Sequence, residues 1–487
     1  MYKFDQNQTP LFDALMEYVK NDTIPFHVPG HKKGVGMDGV FKAFIGDNPF
    51  KIDVTVFKQV DSLHHPTGSI KLAQELAADA YGSDACFFSI HGTSGAIQAM
   101  IMSVVNNGDK ILIPRNVHKS VTAGIILTGA VPVYMQPELD KKIGIAHGVT
   151  PETVKNTLRA NPDAKAVLVI NPTYYGVATD IKKIADIVHK YDIPLIVDEA
   201  HGPHLKFNAK LPVSAIDAGA DICSQSTHKI IGALTQCSLL QVNTKRVDAS
   251  RVQQILSLLQ TTSPSYILLA SLDCSRRQIA LHGKELLDKT IDLINYARNE
   301  INKIPGFYSF SDEILGNPGV YALDPTKLTI TCRDLGITGY DLDMILSNKY
   351  HIQMELSDLY NILAVGSFGD TSESIDSLIS ALKEISKEFS NRTNKKPDFI
   401  DVPPIPDLVL NPRQAFNSYK TPVSLKDSVG QISGEFLMAY PPGIPVLCPG
   451  EKITFEIVDY IQNLKKAGLY VQGTEDPNVE YIKVVKI

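Results

Sequence analysis

A lysine and an aspartate each follow an apolar run, and their types and spacing suit covalent chemistry on a carbonyl compound. Lys229 stands after the run ADIC, with Ser226 and Thr227 shortly before it, and Asp198 ends the earlier run IPLIV. A lysine that burial keeps uncharged can attack a carbonyl carbon and form a Schiff base. A carboxylate ending a buried strand needs a cationic partner. The pair indicates a Schiff-base site, although Lys229 taken alone could be an ordinary surface charge.

Two further polar segments point to an aromatic phosphate. Gly92, Thr93 and Ser94 form a small turn that opens a helix, where backbone N–H groups and hydroxyls can bind an anion. His118, after the run KILIP, stands where an imidazole could lie flat on an aromatic ring. Helix capping explains the first segment equally well, and an ordinary loop histidine remains an alternative for the second.

Together these residues predict a pocket for pyridoxal 5′-phosphate. The anion turn, His118, Asp198 and Lys229 would supply the phosphate cup, the ring lid, the partner of the pyridine nitrogen and the covalent anchor. A metal held by Asp198, His201 and His204 is the alternative, but the H-x-x-H spacing is a poor helix-face pair and no Cys/His cluster accompanies it. We therefore expect no metal. The Walker-A, G-x-G-x-x-G and G-x-S-x-G patterns are absent.

Apolar runs that alternate with helical segments would position these residues. The runs ACFFSI, DKILIP, VPVYM, AKAVLVI, IPLIVDEA and ADICSQS are separated mostly by segments of helical pattern. This alternation predicts a mainly parallel sheet covered by helices on both faces, with ligands at the carboxyl ends of the strands. A long helical segment from residue 265 to 301 is expected to lead into a second domain.

The composition is that of a globular enzyme. Of its residues, 44% are hydrophobic and 21% are charged. The length of 487 residues is too great for one ordinary hydrophobic core and predicts several domains. The net charge of −6 argues against binding to nucleic acid or anionic membranes. The six scattered cysteines indicate reduced thiols, and no signal core or apolar run of about 20 residues occurs. We expect a cytoplasmic protein.

The chain resembles the Orn/Lys/Arg decarboxylase family, and is similar in particular to its short, Bacillus-type biosynthetic arginine decarboxylases. The matching segments include FHVPGHKKG, LHHPTGSI, FFSIHGTSGAI, VDEAHG, STHK, TTSPSYILLASLD, ELSDLYNIL and AYPPGIPVLCPGE, and they span nearly the whole chain. The resemblance implies an α/β, PLP-dependent transferase-like large domain of the aspartate aminotransferase type (fold type I). A smaller α+β domain and a C-terminal unit would follow. The expected parts are an N-terminal arm (1–60), a PLP-binding large domain (61–310), a small domain (311–392) and a C-terminal decarboxylase domain (393–487).

The resemblance also assigns roles to individual residues. It implies that Lys229 holds the cofactor covalently, that Asp198 pairs with the pyridine nitrogen and that His118 stacks on the ring. Ala200 and His201 would lie beside the ring. Glu355 and Asp358 become candidates for the distal cation of the substrate, because a guanidinium takes a bidentate carboxylate and an ammonium accepts a point charge. The residues expected at the phosphate end are Thr93, Ser94, Ser226 and His228.

Two other segments bear on assembly. The segment TTSPSY resembles one that reaches the cofactor of a partner subunit, so the resemblance implies a homodimer or a higher homo-oligomer with shared active sites. Large inducible relatives carry an N-terminal wing domain, and here the decarboxylase pattern starts almost at once, so wing-mediated decamers are not expected. Many relatives carry Thr-Glu where this chain has Thr55-Val56, which puts a substrate role of that loop in doubt.

The resulting hypothesis is the decarboxylation of L-arginine to agmatine and CO₂, which would feed polyamine and spermidine biosynthesis. The proton that replaces the carboxylate on Cα would come from Lys229 or His228. Lysine or ornithine decarboxylation, giving cadaverine or putrescine, is the alternative. A PLP-binding protein without turnover is a more remote one.

Overall fold

The computed structural model describes residues 2–389, 402–439, 444–466 and 471–486. The chain folds into two compact units: a first unit of Met1–Ser103 with Ile196–Asp288, and a second of Val104–Leu195 with Lys289–Ile487. The helices are α1 (Pro10–Lys20), α2 (Gly39–Ile45), α3 (Asn48–Ile52), α4 (Ser69–Tyr81), α5 (Gly92–Val104), α6 (Lys119–Thr128), α7 (Pro151–Ala160), α8 (Ile181–Val188), α9 (Thr227–Ile230), α10 (Ala249–Leu259), α11 (Tyr266–Ile301), α12 (Gly339–Tyr350), α13 (Ser372–Phe389), α14 (Pro412–Asn417) and α15 (Phe455–Lys466).

The strands are mostly short. They are β1 (Ala85–Ser89), β2 (Lys110–Pro114), β3 (Val131–Met135), β4 (Leu139–Asp140), β5 (Ile145–Ala146), β6 (Ala166–Ile170), β7 (Val177–Ala178), β8 (Leu195–Asp198), β9 (Ile222–Gln225), β10 (Ser238–Val242), β11 (Ala322–Leu323), β12 (Lys327–Thr331), β13 (Leu356–Ser357), β14 (Asn361–Val365), β15 (Lys420–Ser424), β16 (Leu437–Ala439), β17 (Ile444–Leu447), β18 (Val471–Gln472) and β19 (Tyr481–Val485). All six apolar runs that predicted strands form them.

In the first unit the strands lie in the order β1-β10-β9-β8. Strands β8 and β9 are parallel, and β10 is antiparallel to both β9 and β1. Every residue of β8 and of β9 is buried, as expected for strands covered on both faces. Helix α4 is followed by Gly82, whose φ of 76° is left-handed, a conformation that ends a helix. The core of this unit joins residues of α1, α4, β1 and the start of α11.

In the second unit the parallel strands lie in the order β6-β2-β3. The antiparallel sheet β12-β14-β13 packs with α12 and α13 around one apolar core, which is the α+β pattern predicted for this part of the chain. Strands β15 to β19 and α15 share a further core. The boundaries of the four predicted domains remain predictions.

Helix α11, of 36 residues, confirms the long helix predicted before the second domain. Residues 440–443, in the segment AYPPGIPVLCPGE, and residues 390–401, at the predicted start of the C-terminal domain, lie outside the described residues. Among the described residues, no helix combines the length and apolar character needed to cross a membrane. All six cysteines are free thiols; five are buried and Cys274 is half-buried.

Candidate active site

The carboxyl ends of β8 and β9 bring together the residues predicted to hold a cofactor. Asp198 is the last residue of β8 and pairs with Ser224 of β9. The chain then enters α9 through Ser226, whose N–H donates to the carbonyl of Ala200 at 3.3 Å. Because parallel strands end at the same edge of a sheet, Asp198 and the segment 226–229 share this edge, as the sequence predicts.

The Lys229 amine is held by a buried histidine. Its Nζ lies 2.7 Å from His201 Nε2, and the His201 ring is 4% exposed while Lys229 is half-buried. Lys229 is also close enough to Asp198 for its charge to act on that carboxyl group. The amine therefore has a fixed direction in a site largely shielded from water.

Asp198 is a buried carboxyl group whose ionised form a cationic partner would stabilise. Burial raises its pKa to about 6, and this effect outweighs the opposing hydrogen bond from the Ala200 N–H (3.1 Å) and the charge of Lys229. A protonated ring nitrogen beside Asp198 would favour the ionised form. The buried acid thus fits the pyridine partner predicted from the sequence.

Hydroxyl groups line the same edge. Thr93 Oγ1, in the first turn of α5, bonds to Ser226 Oγ and lies 3.0 Å from Ser238 Oγ, which donates to the Gln225 carbonyl at 2.8 Å. Ser94 is exposed next to Thr93. Sequence reasoning did not single out Ser238, because it lies within a strand that reads as core.

His228 is oriented by the backbone. Its Nδ1 lies 2.9 Å from the carbonyl oxygen of Cys237, which can only accept, so Nδ1 carries the proton. Its Nε2 is the nitrogen that faces away from this bond. Thr227 Oγ1, by contrast, is buried and has no hydrogen-bond partner among the described residues. An amine, a buried acid and a set of hydroxyls are the groups that a phosphorylated pyridine aldehyde requires, so the residues present fit pyridoxal phosphate.

Glu199, next to Asp198, is a buried acid that sequence reasoning missed. Its Oε1 accepts from the Ala215 N–H at 2.6 Å and its Oε2 from Gln225 Nε2 at 2.7 Å. Burial raises its pKa to about 8 despite these bonds. Its place directly after Asp198, within the run IPLIVDEA, was the available signal, but the buried run was taken to end at Asp198.

Comparisons with known proteins identify the family. A model described as the Orn/Lys/Arg decarboxylase major domain matches residues 9–374. The chain belongs to the Orn/Lys/Arg decarboxylase family. The C-terminal domain model of this decarboxylase family matches residues 399–476. The family membership predicted from the sequence is confirmed.

Individual members of the family are similar over nearly the whole chain. An arginine decarboxylase of Halalkalibacterium halodurans is 51% identical over 99% of this chain and 98% of its own length. An arginine decarboxylase of Bacillus anthracis is 50% identical over 100% of this chain and 99% of its own length. The crystal structure of the Francisella novicida lysine decarboxylase LdcF matches with a TM-score of 0.85 at 25% identity, and the likeness covers 98% of this chain and 81% of that one. The predicted fold class is confirmed.

His118, expected to stack on the cofactor in this family, belongs to the second unit. It is half-buried and is the N-cap of α6, where its Nδ1 contacts the Ser120 hydroxyl at 2.8 Å and accepts from the Ser120 N–H at 3.2 Å. The ring is therefore held at a strand end, after β2. Its stacking role remains a prediction.

The two carboxylates predicted to bind the substrate's distal cation have different surroundings in the second unit. Glu355 is exposed. Asp358 is buried and accepts hydrogen bonds from Tyr175 Oη at 2.6 Å and from the N–H groups of Tyr360 and Asn361, each at 2.8 Å. Burial raises the pKa of Asp358. Their roles toward substrate remain predictions.

A metal centre was the alternative for Asp198, His201 and His204. No group of three or more His, Cys, Asp or Glu side chains in the described part of the chain is arranged to hold a metal ion.

Proposed function

We propose that the chain is a pyridoxal-phosphate-dependent decarboxylase that converts L-arginine to agmatine and CO₂. The observation that carries the choice of arginine is the identity of 51% and 50%, over essentially the full chain, with two proteins named arginine decarboxylase. The lysine decarboxylase of known structure is only 25% identical. The strand-end cluster described above supports the choice of cofactor.

Each member of that cluster has a part in holding the cofactor. Lys229 would bind it covalently, Asp198 would accept a hydrogen bond from its ring nitrogen, and Ala200 and His201 would lie beside the ring. Thr93, Ser94, Ser226 and His228 would bind the phosphate, with His118 stacked on the ring. When bound, the cofactor supplies a conjugated ring that accepts the electron pair left on the substrate Cα as CO₂ departs.

The protein groups control protons around this event. At neutral pH Asp198, with a pKa of about 6, is mostly ionised. Its negative charge would keep the ring nitrogen of the cofactor protonated. Lys229, once its amine is released, can return a proton to Cα, and the hydrogen bond with His201 Nε2 directs that amine. His228 is the second candidate donor, through Nε2, because Nδ1 is engaged with the backbone.

Selection of the substrate would fall to a carboxylate that meets its distal cation, for which exposed Glu355 is the proposed group. Asp358, the other candidate from the sequence, lines a cavity within the second unit. We further propose a homodimer or higher homo-oligomer, a cytoplasmic location and a role in polyamine synthesis. The exposure of Thr261, Thr262 and Ser263, in the segment expected to reach a partner subunit, supports the dimer.

The test uses purified protein supplied with pyridoxal phosphate and an equimolar mixture of arginine, lysine and ornithine. We expect CO₂ release with agmatine as the main amine product. Lys229→Ala should lose both the visible absorbance of the bound cofactor and CO₂ release, whereas Lys182→Ala, which alters an exposed lysine on α8, should keep both.

Three results would overturn parts of the proposal. Cadaverine or putrescine as the main product would change the substrate, and a coloured protein that releases no CO₂ from any of the three would indicate a binding protein without turnover. A Lys229→Ala variant that is normally coloured and active would remove the proposed role of Lys229.

A further inference from the structure

A cavity of about 180 Å³ lies within the second unit, lined by residues from several separate parts of the chain. The hairpin of β4 and β5, the loop 358–360, the segment 402–405 and α15 all contribute to its wall. Most of the wall is apolar, from side chains such as Leu139, Ile145, Val446 and Leu464. An apolar cavity with a few placed polar groups is the usual form of a small-molecule site.

Two carboxylates face this cavity from rigid loops. Asp140 closes the β4–β5 hairpin, since its Oδ1 accepts from the N–H groups of Lys142 at 2.8 Å and Ile143 at 2.9 Å. Asp358 is fixed by Tyr175 and by the backbone of its own loop. The side chain of Asp140 is 12% exposed, so both acids are largely withdrawn from water.

One side chain ties the two loops together. Asn361 Nδ2 lies 3.0 Å from the carbonyl of Ile143, in the hairpin, and 3.1 Å from Asp358 Oδ1. Gly144 permits this close approach: its φ is 82°, and a Cβ there would lie 2.2 Å from Cδ2 of the Tyr360 ring. The spacing of the two acids is therefore set before any ligand arrives.

Acidic side chains outnumber basic ones among the residues that line the cavity. Of the described residues that line it, Arg115 alone is basic, and its guanidinium makes a two-pronged ion pair with buried Glu451 (2.5 and 2.8 Å). No lysine, arginine or histidine in the described part of the chain forms an ion pair with Asp358, which instead accepts hydrogen bonds from Tyr175, Tyr360 and Asn361. Asp140 has His147 Nε2 at 3.8 Å, beyond hydrogen-bond distance. The two acids lack a close permanent cation, so the cavity favours a positively charged ligand.

Tyrosines complete the wall. The rings of Tyr340 and Tyr460 line the cavity, and Tyr340 is close enough to Asp358 and Tyr460 for their charges to act on its hydroxyl. Aromatic faces attract ammonium and guanidinium groups, and phenol oxygens accept hydrogen bonds from them. These groups recognise an organic cation rather than a metal ion.

We propose that this cavity is an accessory binding site for an organic cation of the alkylamine or alkylguanidine class, at which no bond is made or broken. The preference for a cation rests on the cavity alone. The expectation that agmatine, the amine product, is the occupant rests on the proposed function. Asp140, Asp358 and the tyrosine rings form the site.

Equilibrium dialysis of the holoenzyme against butylguanidine and its neutral isostere butylurea tests the proposal. We expect two butylguanidine sites per chain, one at the catalytic centre and one in the cavity, with butylurea absent from the second. Asp140→Asn should weaken the second site about tenfold or more, because it removes a charged acceptor. It should leave the KM for arginine unchanged. Asp163→Asn, which alters an exposed acid that does not line the cavity, is the matched control.

The outcomes separate this proposal from the proposed function. A single butylguanidine site that Asp140→Asn leaves unchanged, equal binding of butylurea at both sites, or a second site unaffected by Asp140→Asn would each overturn the accessory site. The ligand comparison on the wild type stands even where a variant folds poorly. A second site that discriminates cation from isostere in a protein releasing no CO₂ would support the cavity and refute the decarboxylase proposal.

Discussion

At the scale of single residues, the end of β8 carries two adjacent acids with different tasks. Asp198 faces the edge where Lys229 and the hydroxyl cluster lie, whereas Glu199 is bonded to Gln225 and to the backbone of Ala215. Gln225 in turn accepts from Gln241 Nε2 at 3.3 Å, on the next strand. Glu199 thereby links β8 to β9 and β10 at the strand end that carries Asp198, and we assign it a positioning role there.

Glu199 makes stability depend on pH. Its folded-state pKa of about 8 lies above the ordinary value of 4.5, so the folded chain holds this proton over a range where the unfolded chain has lost it. The stabilising contribution is complete below about pH 4.5 and declines as the pH rises to about 8, with a slope of at most about 1.4 kcal/mol per pH unit. Glu199→Gln should flatten this decline, as measured by denaturant unfolding at several pH values.

The matched control for that experiment is Glu152→Gln, at an exposed acid on α7 whose pKa is lowered by Lys155. It should leave the decline in place. A Glu199→Gln curve parallel to the wild type between pH 5 and 8 would show that Glu199 is ionised throughout.

At the scale of elements, the C-terminal end of β2 is tied to a segment far along the chain. Arg115 pairs with Glu451, 336 positions later, and also donates to the Val446 carbonyl at 2.7 Å. Glu451 accepts in addition from the Cys448 N–H at 2.7 Å. Both side chains are buried, so the pair cannot exchange its partner for water.

Removal of one partner should therefore be costly. Glu451→Ala leaves a buried guanidinium uncompensated and is expected to lower the free energy of unfolding by about 3–5 kcal/mol. Glu152→Ala, which breaks the exposed pair with Lys155, should change it by less than about 1 kcal/mol. Urea denaturation of the two variants beside the wild type measures both values, and equal effects would contradict the role given to burial.

The sequence is sufficient to locate functional side chains that directly follow a strand. It is not sufficient to locate side chains whose bonding partners are distant in sequence. Asp198, Ser226 and Lys229 were predictable because strand ends of a parallel sheet converge at one edge. Glu451 and Asn361 were not, since their partners lie hundreds of positions away and no local pattern marks them. Ser238 was hidden for another reason: a hydroxyl in an apolar strand looks like core until its neighbours are known.

At the scale of the whole molecule, the proposed shared active site can be tested by mixing inactive subunits. If the exposed segment around Ser263 reaches the partner's cofactor, a bulky Ser263→Trp variant damages only the partner's site, while Lys229→Ala damages only its own. Hybrid dimers refolded from the two variants would then carry one intact site.

CO₂ release by the mixture should exceed that of either variant alone. A mixture no more active than its components would place Ser263 in the subunit's own site or outside any site. Lys182→Ala, which should be active by itself, serves as the control for the refolding step.

The native cysteines can be used to follow unfolding, because most of them are buried in the folded chain. Five of the six thiols are buried, and burial raises the pKa of Cys237 to about 11 and that of Cys448 to about 12, so these groups resist alkylation while the fold is intact. Half-buried Cys274 is the first thiol that a maleimide reagent should reach. Cys448 lies beside Glu451, so the rate at which it becomes labelled measures how often the C-terminal segment opens, without any engineered probe.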